Sequence, residues 1–368
     1  MQDLKLSDVG ERQLVETVLR PRYEKYSGIP RFGDDCALVT EINTATVGTI
    51  VATTDPCPEP MSKYLGFDDL YYHGWLLSTI NNSDLAAAGA KPLGLLTSLV
   101  LPNSLRLAEF ERLLDGIDDS CRACGTKVVG GNLKEGVTLD LTATAIGWCA
   151  PNGCVSRTGC KEGDLVAVIG TFGLFWASVF AQEAAINLSE SDMKRALAAV
   201  LTPVPPIAAA HQLARLGILH ACTDNSDGLY PSIKQLSCAN RMRFDLNLDN
   251  VEWDPLAINI AELLRIDVGR FAIGWGDWNL LACLAPEDEF RVSSISRECG
   301  VQFTVVGQVS QGSGVRLTYR GRTGPMARIE SERLIKSSWL TTGIQTYMRT
   351  IRQSPLWDTG IESIGERA

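Results

Sequence analysis

Histidine is scarce in this chain: 368 residues carry three. With so few, and with only one close cysteine pair, Cys121-Arg122-Ala123-Cys124, the ligand spacing of a zinc site is not met and none is expected. Positive charge is also short. The formal net charge is −9 and no basic stripe offsets it, which argues against a nucleic-acid surface. No stretch approaches the roughly 20 apolar residues that a membrane span needs. The opening Met-Gln-Asp-Leu-Lys-Leu lacks the basic-then-apolar pattern of a signal peptide. A GxxxxGK[ST] phosphate loop is absent, as are solenoid-length repeats and low-complexity tracts. What remains is the expectation of a cytoplasmic globular protein that binds neither membrane nor nucleic acid.

What is present fits that class. Hydrophobic residues make up 45% and charged residues 21%, a balance without a disorder signature. The length allows two domains, each with its own core. Cysteine is plentiful, with eleven residues. Most stand alone in apolar contexts (Cys36, Cys149, Cys222, Cys283), where a small buried thiol in a reducing compartment is the expected role.

Hydrophobic periodicity predicts a helix over 7–26, with Val9, Leu14, Val15, Val18 and Leu19 on its apolar face. A β-branched run over 49–54 should place Asp55 at a strand end. A long helix over 67–89 stacks Leu77, Asn81 and Asp84 along one face, since they are four and then three residues apart. A strand over 93–101, a helix over 105–122, a short strand over 127–129 running into a Gly130-Gly131-Asn132 turn, and a strand over 137–148 follow. These elements make an α+β domain over 1–150. A second α/β domain over 151–368 begins with a strand at 165–169, the turn Gly170-Thr171-Phe172-Gly173 and a helix over 174–185. A helix at 207–216, a helix opened by 224–229 and running through Leu236, and strands at 242–248, 279–284 and 301–309 complete it.

Four separated places set Asp residues into hydrophobic sequence. They are Gly33-Asp34-Asp35-Cys36-Ala37, Thr53-Thr54-Asp55, Asn81-Asn82-Ser83-Asp84-Leu85-Ala86-Ala87, and Asp224-Asn225-Ser226-Asp227-Gly228. Taken singly, the first is an ordinary turn and the second a strand-end cap. In the fourth, a helix N-cap explains one Asp but not two. Asp84 is harder to set aside, because a carboxylate on an alanine-rich buried face needs a partner. Four such places suggest one shared solution, a magnesium site holding a nucleotide triphosphate. Magnesium takes scattered hard oxygen ligands together with phosphate oxygens.

In order and spacing these motifs, with Gly130-Gly131-Asn132 and Arg157-x-Gly-x-Lys161-x-Gly-Asp164, resemble the thiamine-monophosphate kinase family. That family is part of the PurM-like superfamily of aminoimidazole ribonucleotide synthetase and selenophosphate synthetase. The resemblance spans roughly residues 10–310. It implies a two-domain fold whose N-terminal domains pair strands in a homodimer, with ATP and several magnesium ions bound near the interface. By position, Asp35, Thr54, Asp55, Asp84, Asp224 and Asp227 would be metal ligands, with Asp84 and Asp227 central to catalysis. Gly131, Asn132, Arg157 and Ser226 would contact nucleotide.

Three positions depart from the family. Asn132 stands where Asp is usual. Gly274-Trp275-Gly276-Asp277-Trp278-Asn279-Leu280 replaces Gly-Gly-Glu-Asp-Tyr-Glu-Leu, so Gly276 takes the place of a substrate-contacting Glu. Finally, Pro56-Cys57-Pro58-Glu59-Pro60-Met61 lacks the family's His. The nucleotide half is therefore retained and the acceptor half altered, with Gly276, Asp277 and Trp278 as the candidate acceptor-contacting residues. The expected activity is transfer of the γ-phosphoryl group of ATP to a small molecule, in which thiamine monophosphate fits poorly. Two alternatives stand beside it: activation of an amide or carbonyl oxygen, as in ring-closing relatives, and a catalytically silent nucleotide-binding subunit.

Overall fold

The computed structural model describes residues 47–329 and 339–358, together with 13, 16, 17, 21 and 35–38. The helix predicted over 7–26 lies, but for isolated positions, outside them. Strands β1 (Ala37–Leu38), β2 (Thr49–Pro56), β3 (Lys91–Pro102), β4 (Val128–Gly136) and β5 (Asp140–Cys149) form one sheet in the order β1-β2-β5-β3-β4. Burial alternates along β5, with Leu141, Ala143 and Ala145 inward, as a sheet with one covered face requires. A single turn, α1 (Met61–Tyr64), follows β2. Two longer helices, α2 (Leu70–Ala87) and α3 (Leu107–Ala123), cover the sheet. They cross at unusually close range through two glycines. A Cβ on Gly74 would stand 2.1 Å from the Leu113 carbonyl oxygen, and one on Gly116 would stand 1.9 Å from that of Tyr71.

The expected Gly130-Gly131-Asn132 turn is not formed. After a one-residue register slip at Val129, β4 runs on through it, paired in parallel with β3 so that Thr97 opposes Gly131 and Ser98 opposes Asn132. Glycine is required there for close approach rather than for turning, because a Cβ on Gly131 would meet the Thr97 carbonyl oxygen at 2.3 Å. β4 is an edge strand, and nearly every residue in it is exposed.

The second sheet runs β12-β11-β8-β10-β6-β9-β7. Its strands are β6 (Leu165–Ile169), β7 (Leu219–Asp224), β8 (Arg243–Asn247), β9 (Leu280–Leu284), β10 (Phe303–Ser310), β11 (Gly314–Tyr319) and β12 (Arg322–Pro325). Every residue of β9 is buried, because both faces of this sheet are covered. On one face α4 (Leu174–Glu183), α7 (Leu229–Asn240) and α8 (Pro255–Leu264) contribute to the larger core. On the other, α6 (Ile207–Arg215) and α9 (Glu289–Glu298) pack with Ala86 and Ala87 from the end of α2. α2 is thus shared between the two halves and buried on almost every side, which explains how its polar residues come to lie inside the molecule. Helix α5 (Glu190–Leu201), α8, α9 and the C-terminal pair α10 (Trp339–Thr342) and α11 (Ile344–Gln353) were not anticipated by the periodicity. Asp224 ends β7 instead of opening a helix; α7 starts only at Leu229, after Gly228.

Candidate active site

At the seam between the halves, carboxylate oxygens of Asp35, Asp84 and Asp224 all lie within 4.8 Å of one another. Asp35 precedes β1, Asp84 comes from α2, and Asp224 ends β7 of the second sheet. The Asp84 carboxylate accepts from Thr53 Oγ1 at 2.6 Å. Ser83 Oγ, one residue before Asp84, donates to Asp224 Oδ2 at 2.8 Å, a bond that crosses from one half to the other. Ser226 Oγ holds the other Asp224 oxygen at 3.0 Å. Asp55 sits at the margin, its backbone N–H donating to Asn81 Oδ1 at 3.1 Å. Asn81 is itself fixed by its Nδ2 donating to the Leu77 carbonyl at 2.9 Å.

Like charges this close disfavour one another. Burial, followed by Asp224, Asp55 and Asp35, raises Asp84 well above the ordinary carboxylate value, against the opposing Thr53 bond. Burial and then Asp35 push Asp224 up to about 7, while Ser83 and Arg157 oppose the rise. Arg157, on the segment between the two sheets, forks Asp35 through Nη2 (2.7 Å to Oδ1) and Nε (3.1 Å to Oδ2). Burial pulls the guanidinium down, but Asp35 outweighs it and holds Arg157 above its ordinary value. Three hard, mutually repelling oxygen donors beside a permanently charged fork suit a divalent cation with its phosphate ligands. The residues present fit magnesium.

Thr54, Gly131 and Asn132 lie away from this cluster, and Asp227 at its margin. The Thr54 side chain projects from the opposite face of β2, donating to the Ala143 carbonyl at 2.9 Å and accepting from Thr144 at 3.0 Å. Side chains alternate along a strand, so Thr53 and Asp55 share the face that meets α2. Asp227 lies on the turn after Asp224, where Gln235 Nε2 approaches it at 3.4 Å. Gly131 falls in the same cross-strand row as Asp55, through Ala143 and Thr97. Three strand spacings make that a separation of about 14 Å. Asn132 follows Gly131 on the exposed edge.

The three acceptor candidates are placed otherwise than the sequence suggested. Both Asp277 oxygens accept backbone N–H groups at the start of α4, from Gly173 at 2.7 Å and Phe175 at 3.1 Å. Burial raises this carboxyl to about 7 against those two bonds. Asp277 therefore closes a helix N-terminus. Trp278 is buried in the interior. Gly276 is buried as well, at φ +108°, and a Cβ there would stand 2.7 Å from the Phe175 ring. It is Trp275 that comes beside the Asp227 turn. A Cβ on Gly228 would lie 3.1 Å from the Trp275 nitrogen. Trp275 stacks on Tyr347 of α11, with ring centroids 5.8 Å apart. A histidine does reach the His-less segment 56–61 from α2: His73 packs by Pro58, and burial lowers its pKa to about 4.

Sequence reasoning missed Thr53, Ser83 and Tyr347. The first was available from strand alternation. The other two depend on contacts between distant parts of the chain.

Family models described as AIR synthase related protein, N-terminal domain, and AIR synthase related protein, C-terminal domain, match residues 33–149 and 161–320. A thiamine-monophosphate kinase of Synechococcus elongatus is 27% identical over 88% of this chain and 95% of its own length. One from Methanopyrus kandleri is 28% identical over 87% and 94%. Among solved structures, AaThiL complexed with AMPPCP and TMP superposes with a TM-score of 0.71 at 23% identity, over 88% of this chain and 97% of that one.

Proposed function

From the premise that this chain belongs to the AIR synthase related protein family, we propose that it is an ATP- and magnesium-dependent kinase for a small-molecule acceptor. The convergence of Asp35, Asp84 and Asp224 from both halves carries this reading. Asp35, Asp84 and Asp224 would hold magnesium, with Asp55 and Asp227 at its margins. When bound, the ion neutralises phosphate oxygens and orients them for in-line transfer. Arg157, which forks Asp35 here, would turn its planar guanidinium to a phosphate edge once magnesium takes over the Asp35 carboxylate. Ser83, Ser226 and Thr53 fix the carboxylate rotamers, so less reorganisation is left for the moment of binding.

The exposed edge strand β4 supports a homodimer. On β4 Val129 and Leu133 are 50% and 61% exposed, Val137 just beyond it is 95% exposed, and among the described residues no strand pairs with the outer edge of β4. Gly131 and Asn132 lie on that strand, so nucleotide bound near the dimer interface would pass them. The eleven cysteines, many of them buried thiols, fit a reducing cytoplasm.

The acceptor differs from that of the kinases it resembles. Position 276 offers no carboxylate, Phe175 fills the space a side chain would take, and Asp277 is committed to α4. Thiamine monophosphate should accordingly be a poor substrate. ADP release from magnesium-ATP should be measured with thiamine monophosphate and with a metabolite library, and the product mass identified. We expect a phosphorylated product from another acceptor. Turnover of thiamine monophosphate at roughly 1–100 per second would refute the altered acceptor side. A cyclised or aminated product would refute the kinase reading.

A further inference from the structure

Two thiols at the junction of the halves have no part in the site above. Cys149 ends β5 and is fully buried, whereas Cys154 is partly exposed on the segment that carries Arg157. Their Sγ atoms lie 3.0 Å apart. The turn between them is tight: Gly153 N–H donates to the Ala150 carbonyl at 2.9 Å, and Asn152 sits at φ +56°. Both ends are tied to α2. Cys149 Sγ lies 3.5 Å from the Ala88 carbonyl oxygen, and Val155 N–H donates to that same oxygen at 3.1 Å. Ala88 is four residues beyond Asp84, and Cys154 is three residues before Arg157. One reachable and one shielded sulfur at contact distance is the arrangement of an attacking and a resolving thiol.

We propose that Cys149 and Cys154 form a reversible thiol–disulfide site that reacts with low-molecular-weight disulfides, and that its oxidation weakens nucleotide binding through Arg157. Cys154, having released its proton to solvent, attacks one sulfur of the small disulfide and expels a thiolate. Cys149 then loses its proton, attacks Cys154 Sγ in the mixed disulfide and expels the second thiolate. Two protein thiols are oxidised to one disulfide, and the oxidant is reduced to two thiols that take up the two protons. Bonding closes the sulfur separation from 3.0 Å to about 2.05 Å. A displacement of that order, passed along three residues, reaches the guanidinium that forks Asp35. Only the effect on nucleotide rests on the kinase reading; the thiol chemistry does not.

The test equilibrates the full chain with glutathione buffers of increasing oxidation, alkylates it, and maps its peptides by mass. A Cys149–Cys154 cross-link with a loss of about 2 Da, reversed by dithiothreitol, is expected. Oxidised wild-type protein should bind a non-hydrolysable ATP analogue with magnesium on the order of tenfold more weakly than reduced protein. Cys154→Ser should bind alike under both conditions, whereas Cys149→Ser, lacking the resolving thiol, should stop at the Cys154–glutathione mixed disulfide in the peptide map. No cross-link, a link to Cys36 in its place, or equal affinities for the two wild-type forms would overturn the proposal. If reduced protein binds no nucleotide at all, the kinase reading fails, and the peptide map still decides whether the thiols pair.

Discussion

Asp84 accepts a 2.6 Å bond from Thr53 while facing two other carboxylates, so its role can be separated from its surroundings by small substitutions. Asp84→Asn removes the charge and keeps the shape. It should abolish magnesium-dependent ATP binding in calorimetry while circular dichroism stays unchanged; undiminished affinity would remove Asp84 from the metal site. Thr53→Val should weaken magnesium binding several-fold, and Thr54→Val, on the opposite face, should not. Acidity gives a further test. Asp224 is raised from 3.8 to about 7 and Asp84 is raised as well, so the folded protein holds more protons than the unfolded chain between those values. Stability of the metal-free protein should be fullest below about pH 4 for this contribution and fall as pH rises towards 7. Thermal melts in chelator should show the decline, and added magnesium should reverse it near neutrality. At this scale much was legible in the sequence: carboxylates in apolar runs announce a cost that something must offset. Asp277 shows the limit, since its partners at Gly173 and Phe175 lie about a hundred residues away and no local pattern marks them.

The helices that carry these side chains owe their placement to close packing. Gly74 and Gly116 let α2 and α3 approach until backbone meets backbone. Gly116→Ala should force the helices apart and cost about 1–3 kcal/mol in denaturant unfolding, with unchanged stability contradicting that contact. Because α2 bears Asn81, Ser83 and Asp84, the same variant should also raise the magnesium concentration needed for nucleotide binding. α3 was readable from its amphipathic periodicity, and α2 from its long apolar, alanine-rich run. α8 has a strong start signal in Asp254-Pro255, where Asp254 accepts from Leu256 N–H at 2.8 Å, although periodicity alone does not mark it. For β4 the glycines were read as a turn, because the Thr97 backbone that makes them necessary belongs to a strand some thirty residues earlier.

For the whole molecule, the two-part organisation followed from the length and the motif order, whereas the sharing of α2 between two cores did not, since burial on all sides leaves no amphipathic trace. The exposed β4 ridge makes the assembly testable. Val129→Lys with Leu133→Lys should convert a dimer to a monomer in sedimentation, and a monomeric wild type would refute the pairing. The Ser83–Asp224 bond carries one more implication. A cation held by aspartates from both lobes would act as a weld: it could not be held firmly while the lobes stood apart, and they could not drift while it was held. Magnesium should then raise the thermal midpoint of the whole molecule, not of one lobe, because α2 already ties the two cores together.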